Sequence, residues 1–399
     1  MGSTVLLTLG RLPKGLELAR ALHAAGHRVI VADPFRLHLC RLSRAVAKCF
    51  TPPAPAFHPG EYLDALIDIV CAQSVDLVIP VSEEVMHVAQ LSGRLPKGTQ
   101  LLCPPPARLQ QLHDKFEIMA LVEEAGLAAP KTRLGDDPEC AELTGQGQTV
   151  AKPRFGCSGG GLRFLEAGAE LDAALRRPDW VIQQRVSGQE RSTLTFCRDG
   201  VVLAHVTYRG LILSGTVSVC FERADDPAIE AWTKRFVAHT GHTGFIAFDF
   251  IEDANGTPWP LECNPRLTSG IHFMDPKDLA AAVMGQALDG PVRLRPQKRF
   301  QEGHTALTMA YGRITRPKAF WRALKTVASA RDVLWSLSDP FVFPSMTPMS
   351  WPVLEQVLFR GRTFGQAATF DIEWTPPLWN GFSEQAGAPS GQPARAEAL

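Results

Sequence analysis

Three residues with hard oxygen side chains, Asp249, Glu262 and Asn264, fall within one short stretch of the chain, Gly244 to Asn264. Two apolar-rich runs in that stretch flank Asn255-Gly256, a pair that favours a two-residue type I′ hairpin turn. With that turn Ala254 faces Thr257 and, counting back, Asp249 faces Glu262. Directly opposite side chains lie about 5 Å apart on one sheet face, and Asn264 reaches the same face by alternation. Pro258 and Pro260 then occupy non-hydrogen-bonded positions, where a missing N–H does no local harm. Two facing carboxylates repel, and a divalent cation removes the conflict. Two acids and an amide oxygen suit Mg²⁺ bridging nucleotide phosphates. The same residues also fit a solvated hairpin with incidental acids. A longer turn over Asp253 to Gly256 would shift the register and separate the pair.

A second candidate is Val150 to Leu162, where Lys152 ends an apolar run and Gly156, Gly159, Gly160 and Gly161 follow around Ser158. Glycine lets backbone N–H groups turn toward phosphate oxygens and approach closely. Lys152 would add positive charge there. No G-K-[ST] follows, so the loop is not a Walker A loop, and a plain surface loop fits the composition equally well.

The elements that must position these residues are read from periodicity. Val5–Leu9, Val29–Ala32 and Leu77–Ile79 are short apolar runs expected as buried strands. Leu16, Ala19 and Leu22, with Gly26 as C-cap, mark one intervening helix, and Leu63, Leu66, Ile67 and Val70 mark another. This alternation predicts a parallel sheet wrapped by helices. The first turn, Gly10 to Gly15, is not G-x-G-x-x-G, which argues against a dinucleotide site. Ser82, Glu83 and Glu84 follow the third strand. Ligands of parallel sheets collect at strand C-termini, so these residues are expected either to touch substrate or to cap a helix. A linker at Cys103–Pro106 leads to one helix from about Arg108 to Ala125. Lys131 to about Pro296 is strand-rich. Beyond it a helix is expected over the Pro317–Leu334 region, among Pro- and aromatic-rich segments carrying Trp321, Trp335, Phe341, Phe343, Trp351 and Trp374. From Ser383 on, the chain is Gly/Ala/Pro/Ser/Glu-rich and reads as a disordered tail.

The bulk composition narrows the class. The chain has 399 residues, 45% hydrophobic and 21% charged, an ordinary globular mixture. Its formal net charge of +0 argues against a nucleic-acid binder. Nine cysteines without C-x-x-C spacing read as reduced thiols, which points to the cytoplasm. The N-terminus reads as a first strand and not a signal peptide, and no apolar run is long enough to span a bilayer.

Taken together, Lys152 with its glycine loop, the spaced Asp249 and Glu262, and Glu262-Cys263-Asn264-Pro265-Arg266 resemble the ATP-grasp superfamily of carboxylate-amine and carboxylate-thiol ligases. The resemblance runs from the N-terminal sheet to about residue 295, and E-x-N-P-R is its most specific part. It implies an α/β and α+β chain. A Rossmann-like pre-ATP-grasp domain (1–112) precedes an ATP-grasp fold (113–295) whose two α+β subdomains clamp ATP. The region beyond Phe300 does not resemble the common ATP-grasp core; a C-terminal extension (296–382) is expected to pack on the core, with a lid, a dimer surface or a membrane-surface contact as the alternatives, and a tail (383–399) follows. The resemblance implies that Lys115 and Lys152 meet the nucleotide, Lys152 on the α- and β-phosphates, with Gly159 and Gly160 over them. The strand through Gln183, Gln184, Arg185 and Val186 reads adenine, although relatives often carry glutamate where Gln183 and Gln184 stand. Glu190 accepts from the ribose hydroxyls. Asp249, Glu262 and Asn264 hold Mg²⁺, or Mn²⁺ in its place, and Arg266 lies near the γ-phosphate.

The chemistry that the resemblance implies has a substrate oxygen attack the γ-phosphorus of ATP. An amine or amino acid then displaces phosphate from the acyl-phosphate or phosphorylated enol. Arg266, Arg209 and Lys152 are the expected catalytic cations. Ser82, Glu83, Thr268, Ser269 and His272 are expected near the acid or enol acceptor, with a structural hydrogen bond favoured for His272 over general base chemistry. His205 is a lesser candidate beside Arg209. Expected partners are these small molecules and, as an option, a second copy of the chain. Nucleic acid and stable membrane insertion are not expected.

Overall fold

The computed structural model describes residues 2–156, 161–215 and 217–376. Two compact units emerge. The larger is Met1–Pro130 with Val186–Trp374, and the smaller is Lys131–Arg185, to which Thr375 and Pro376 also belong.

The larger unit opens on β1 (Thr4–Leu7), α1 (Pro13–Ala24), β2 (Arg28–Ala32), β3 (Lys48–Phe50), α2 (Pro59–Gln73), β4 (Leu77–Ile79), a single turn α3 (Val85–Val88) and β5 (Gln100–Leu101). The five strands form one parallel sheet in the order β3-β2-β1-β4-β5. Val5, Leu6, Leu7, Ile30, Val31, Val78 and Ile79 are fully buried, as strands covered on both faces must be. The order turns back between β1 and β4, which makes their C-terminal ends the natural ligand crevice of such a sheet.

The expected helix Arg108–Ala125 is two helices, α4 (Pro106–His113) and α5 (Glu117–Glu124). The break is made by Asp114, whose Oδ1 accepts from the N–H of Phe116 and Glu117. An Asp three residues before a Glu is a helix-start signal inside an otherwise continuous pattern, and here it wins.

The smaller unit carries β6 (Thr132–Leu134), α6 (Cys140–Gln146), β7 (Thr149–Pro153), β8 (Arg163–Leu165) and β9 (Trp180–Gln184) in an antiparallel sheet of order β6-β9-β7-β8. Ala151 and Ile182 face Cys140, Leu143, Leu171 and Leu175 in its own small core.

The chain then returns to the larger unit with β10 (Gln189–Arg198), β11 (Val201–Ser214), β12 (Val217–Arg223), α7 (Pro227–Thr240), β13 (Gly244–Glu252), β14 (Pro258–Asn264), α8 (Pro276–Val283) and β15 (Arg299–Gln301). After them come α9 (Gly303–Tyr311), α10 (Pro317–Ser329), β16 (Arg331–Asp332), α11 (Met346–Met349), α12 (Trp351–Arg360) and α13 (Phe364–Thr369). The seven strands β14-β13-β10-β11-β12-β15-β16 make the main sheet. Alternation divides it cleanly. Phe248, Phe250 and Cys263 point to the face covered by α7, where Trp232 meets both phenylalanines edge-on at 5.0 and 4.9 Å. Each fully buried phenylalanine contributes about 2–3 kcal/mol. Asp226 caps α7, with Pro227 at its first position and Gly241 left-handed at its end. Leu194, Phe196, Val206, Tyr208, Phe245 and Ala247 point to the other face, into a core shared with α1 and the 3-10 turn Ser269–Phe273. At Gly270 an added methyl carbon would stand 2.5 Å from Leu194 Cβ, so only glycine lets that turn lie on the sheet.

The C-terminal extension is anchored at the ends of β1 and β2. Arg11 donates to Asp33 at 2.7 Å and to Asp371 at 2.7 Å, all three side chains being at most 3% exposed. Its guanidinium lies 3.4 Å from the centre of the Phe35 ring. Val333, Leu334, Val342, Met346 and Ile372 join the core beneath. Removing one partner of a buried ion pair leaves an uncompensated charge. Arg11→Ala is therefore expected to lower the unfolding free energy by about 3–5 kcal/mol in urea titration, and a loss below about 1 kcal/mol would contradict this anchor.

Candidate functional site

The hairpin β13–β14 does pair Asp249 with Glu262, but not through the turn expected for it. Glu252 pairs with Pro258, so five residues, Asp253 to Thr257, make the loop. Asp253 builds it by accepting from the N–H of Asn255 and Thr257 and from Trp259 Nε1. This longer turn shifts the register by one residue through Phe250–Pro260. A β-bulge between Asp249 and Phe250 then inserts Leu261 and restores the alignment of Asp249 with Glu262 and of Ala247 with Asn264. Bulges often re-aim a side chain in this manner. β14 is an edge strand, which is why it tolerates Pro258 and Pro260.

The pairings Asp249–Glu262, Asp249–Ser192 and Ser192–Tyr208 form one row across the sheet, so these side chains share a face. Ser192 Oγ donates to Asp249 Oδ1 at 2.6 Å, and Asn264 Nδ2 donates to Oδ2 at 3.2 Å. Burial and then the neighbouring Glu262 charge push the Asp249 carboxyl up to about 6, and Glu190 adds to the same effect. Lys115, nearly buried at the break between α4 and α5, brings Nζ to 3.6 Å from Glu262 Oε2. Arg266 donates to Glu83 Oε1 at 2.5 Å and to Asn264 Oδ1 at 3.0 Å. Although burial pushes the Glu83 carboxyl up, Arg266 and the nearby His113 and Lys14 bring it down to about 2. Burial draws the His113 imidazole down to about 4, so it is neutral at pH 7.

The larger unit therefore gathers Lys115, Asp249, Glu262, Asn264, Arg266 and Glu83 with exposed Glu190 on the same sheet face. Among the described residues no three or more His, Cys, Asp or Glu are grouped to hold a metal ion. Two carboxylates are too few for an all-protein cage, but they match a Mg²⁺ that completes its shell with phosphate and water. Asn264 turns its N–H₂ to Asp249 and its oxygen to Arg266, and that oxygen keeps a second lone pair.

Of the other expected residues, Arg209 and His205 lie on the opposite face of the sheet. Arg209 follows Tyr208 and so points to the opposite face from Asp249. It is bound to Glu222 at 2.5 Å, a cross-strand pair that also holds Arg299. His205 shares that face, bonded to Thr195 and Thr207, with burial drawing it down to about 4. His272 is buried and bonded to Glu17 at 3.0 Å. Burial raises Glu17, but His272 and Arg295 outweigh it and hold it at about 2. Thr268 accepts from Tyr208 Oη and donates to Thr193 O, and Ser269 opens the adjacent 3-10 turn, half-buried. Ser82 accepts from Lys14 Nζ at 3.1 Å, and the same ammonium reaches Leu267 O at 2.8 Å. Glu84 is wholly internal, accepting from Val81 N, Ser82 N and Thr8 Oγ1.

Within the smaller unit, the pairs Val150–Gln183 and Lys152–Val181 put the nearly buried Lys152 and Gln183 on one face, away from the Ala151–Ile182 core. Gln183 Nε2 donates to Thr132 Oγ1 at 3.0 Å. Gln184 Oε1 accepts from Lys131 N, and Arg185 Nη1 donates to Gln148. Val186 begins the next stretch of the larger unit. Gly159 and Gly160 lie outside the described residues.

Sequence reasoning passed over Ser192 and Lys14. Ser192 stands two residues beyond Glu190 on one strand, so period-two alternation pointed to it. Lys14 had no local signal, because its partner Leu267 is 253 residues away.

Residues 112–270 match the family model of the ATP-grasp domain. None of the curated proteins compared with the sequence matches it. Solved structures share the fold at low identity. The biotin carboxylase domain of Hydrogenobacter thermophilus 2-oxoglutarate carboxylase, in complex with MgADP, ADP and bicarbonate, superposes with a TM-score of 0.59 at 17% identity, over 74% of this chain and 73% of that one. The N5-carboxyaminoimidazole synthetase of Staphylococcus aureus complexed with ADP gives 0.58 at 17%, over 74% and 80%. The L-amino acid ligase of Bacillus licheniformis gives 0.57 at 17%, over 75% and 78%.

The raised Asp249 has a pH signature in the cation-free protein. A carboxyl whose folded value lies above its unfolded value is protonated by folding, so its penalty is absent below the unfolded value and complete above the folded one. Asp249→Asn is expected to raise stability in chelator at pH 7.5 by on the order of 2–3 kcal/mol, with the gain vanishing as pH falls from about 6 to about 4. A urea midpoint lowered by the substitution at pH 7.5 would contradict the assignment.

Proposed function

We propose, from the match of residues 112–270 to the family model of the ATP-grasp domain, that the protein is an ADP-forming ligase. On this reading it phosphorylates a small acid or enol with Mg-ATP and couples it to an amine or amino acid. The observation that supports this most is the facing pair Asp249–Glu262, with Lys115 on one side and Arg266 on the other. MgADP and ADP in the structures of like fold agree with it. The reading keeps the division into a pre-ATP-grasp domain (1–112), an ATP-grasp domain (113–295) and a C-terminal extension (296–382).

Asp249, Glu262 and Asn264 would hold Mg²⁺, and the ion would neutralise charge on the nucleotide phosphates. The protein's own contribution is positioning and fixed charge. Lys152 meets the α- and β-phosphates, the Gln183–Val186 strand meets adenine, and Glu190 accepts from the ribose. Lys115 balances Glu262. Arg266 offers a planar fork to the phosphoryl oxygens and to the developing carbonyl oxygen. Glu83 keeps that fork oriented, so its influence on substrate passes through Arg266. The acceptor oxygen attacks the γ-phosphorus and ADP leaves. The amine then adds to the activated carbon, and phosphate departs with the C–O bond electrons while the amine loses a proton. Ser82, Thr268 and Ser269 border the acceptor. Arg209 has no part in this scheme.

Incubation with Mg-ATP and pooled acids and amines tests the reading. ADP and free phosphate, both dependent on acid and amine together, are expected. ADP without phosphate would make the protein a kinase, and neither product a binding module. Glu262→Ala is expected to reduce turnover by at least about 100-fold; turnover left intact would remove the cation assignment.

A further inference from the structure

The stretch Gly303–Arg331 contains six basic residues, Arg313, Arg316, Lys318, Arg322, Lys325 and Arg331, and no acidic one, in a chain whose 41 basic and 41 acidic residues balance. Charge is thus segregated onto the connection after α9 (Arg313, Arg316), onto α10 (Lys318, Arg322, Lys325) and onto Arg331 at the start of β16. These helices are seated by a narrow seam of small residues, Ala306, Ala310, Ala323 and Val327, against Ile212, Val219 and Cys220. The seam leaves much of α10 in the open. At 100° per residue, Trp321, Leu324 and Ala328 form a second apolar stripe beside the buried one, and Lys318, Arg322 and Lys325 lie beyond it. Trp321 is 61% exposed, Ile314 60% and Tyr311 56%. The rings of Tyr311 and Phe320 are 5.8 Å apart and those of Phe320 and Trp321 5.5 Å apart, so the exposed aromatic surface is continuous. Among the described residues, Arg313, Arg316, Lys318, Arg322 and Lys325 have no ion-pair partner in the protein, and all but the half-buried Arg313 are exposed.

We propose that this face docks on the surface of an anionic lipid bilayer. Apolar and aromatic side chains bordered by cations suit the boundary between headgroups and acyl chains, where tryptophan and tyrosine place an apolar body inward and a polar edge outward. The acid-free charge matches an anionic leaflet. A second copy of the chain would set these cations against their own counterparts, which opposes self-association through this face. No helix among the described residues is long and apolar enough to cross a membrane, so the contact is peripheral. The inference is independent of the ligase reading.

Flotation of the full chain with extruded vesicles tests it. The chain is expected to float with vesicles of phosphatidylcholine and phosphatidylglycerol in equal parts, to stay behind with phosphatidylcholine alone, and to be released by about 0.5 M salt. Two variants, Ile314→Ala with Trp321→Ala, and Lys318→Gln with Arg322→Gln and Lys325→Gln, are each expected to lower partition at least about tenfold at an unchanged thermal midpoint. No partition into anionic vesicles, or partition insensitive to both variants, would overturn the proposal. So would a lipid-free dimer that Trp321→Ala dissolves.

Discussion

Two carboxylates at paired positions of neighbouring strands do not stay together for their own sake. Their mutual repulsion, added to burial, pushes Asp249 up to about 6. Something must hold them in register against it. The backbone ladder of β13 with β10 on one side and β14 on the other supplies that constraint. α7 and its aromatic cluster fix β13 from behind. Around the pair, each neighbour answers its charge: Ser192 and Asn264 hydrogen-bond to Asp249, Lys115 approaches Glu262, and Arg266 closes the row. On the proposed function, a divalent cation would relieve this tension, because it suits two carboxylates and nucleotide phosphates together.

The parts of this arrangement that were legible in the sequence share a physical character. Asp249, Glu262 and Asn264 lie within one hairpin, so local alternation reaches all three. Even so, the expected two-residue turn was replaced by a five-residue loop. Asp253 offers the backbone more hydrogen bonds than Asn255-Gly256 alone, and the bulge at Leu261 cancels the resulting shift. Two departures from the simple pattern compensate, and neither is visible in apolar periodicity. Helix α4 breaking at Asp114 is similar: a capping side chain outweighs continuous amphipathicity and brings Lys115 toward Glu262.

What was illegible depended on long-range register or on partners far along the chain. The side on which Arg209 falls is settled only by tracing pairings from β13 through β10 to β11, and that trace puts it with Glu222 on the α7 face. Glu83 with Arg266, Lys14 with Leu267, and Arg11 with Asp371 join residues far apart in the sequence. In each, a charge buried by the fold finds a counter-charge or carbonyl that no local motif announces. The unpartnered aromatic and basic face of α10 is of the opposite kind. Its charge segregation is plain in the sequence, but its exposure is known only once the alanine seam shows which side of the helix is used.

Electron paramagnetic resonance of Mn²⁺, used as a spectroscopic stand-in for Mg²⁺ and titrated into the full chain in the presence of ADP, tests whether Asp249 and Glu262 hold the cation. At least one tightly bound ion is expected, with affinity reduced at least about tenfold in Asp249→Asn and in Glu262→Gln, while Arg209→Gln behaves as the unaltered protein. Equal Mn²⁺ affinity in the unaltered chain and in both carboxylate variants would contradict this role of the pair.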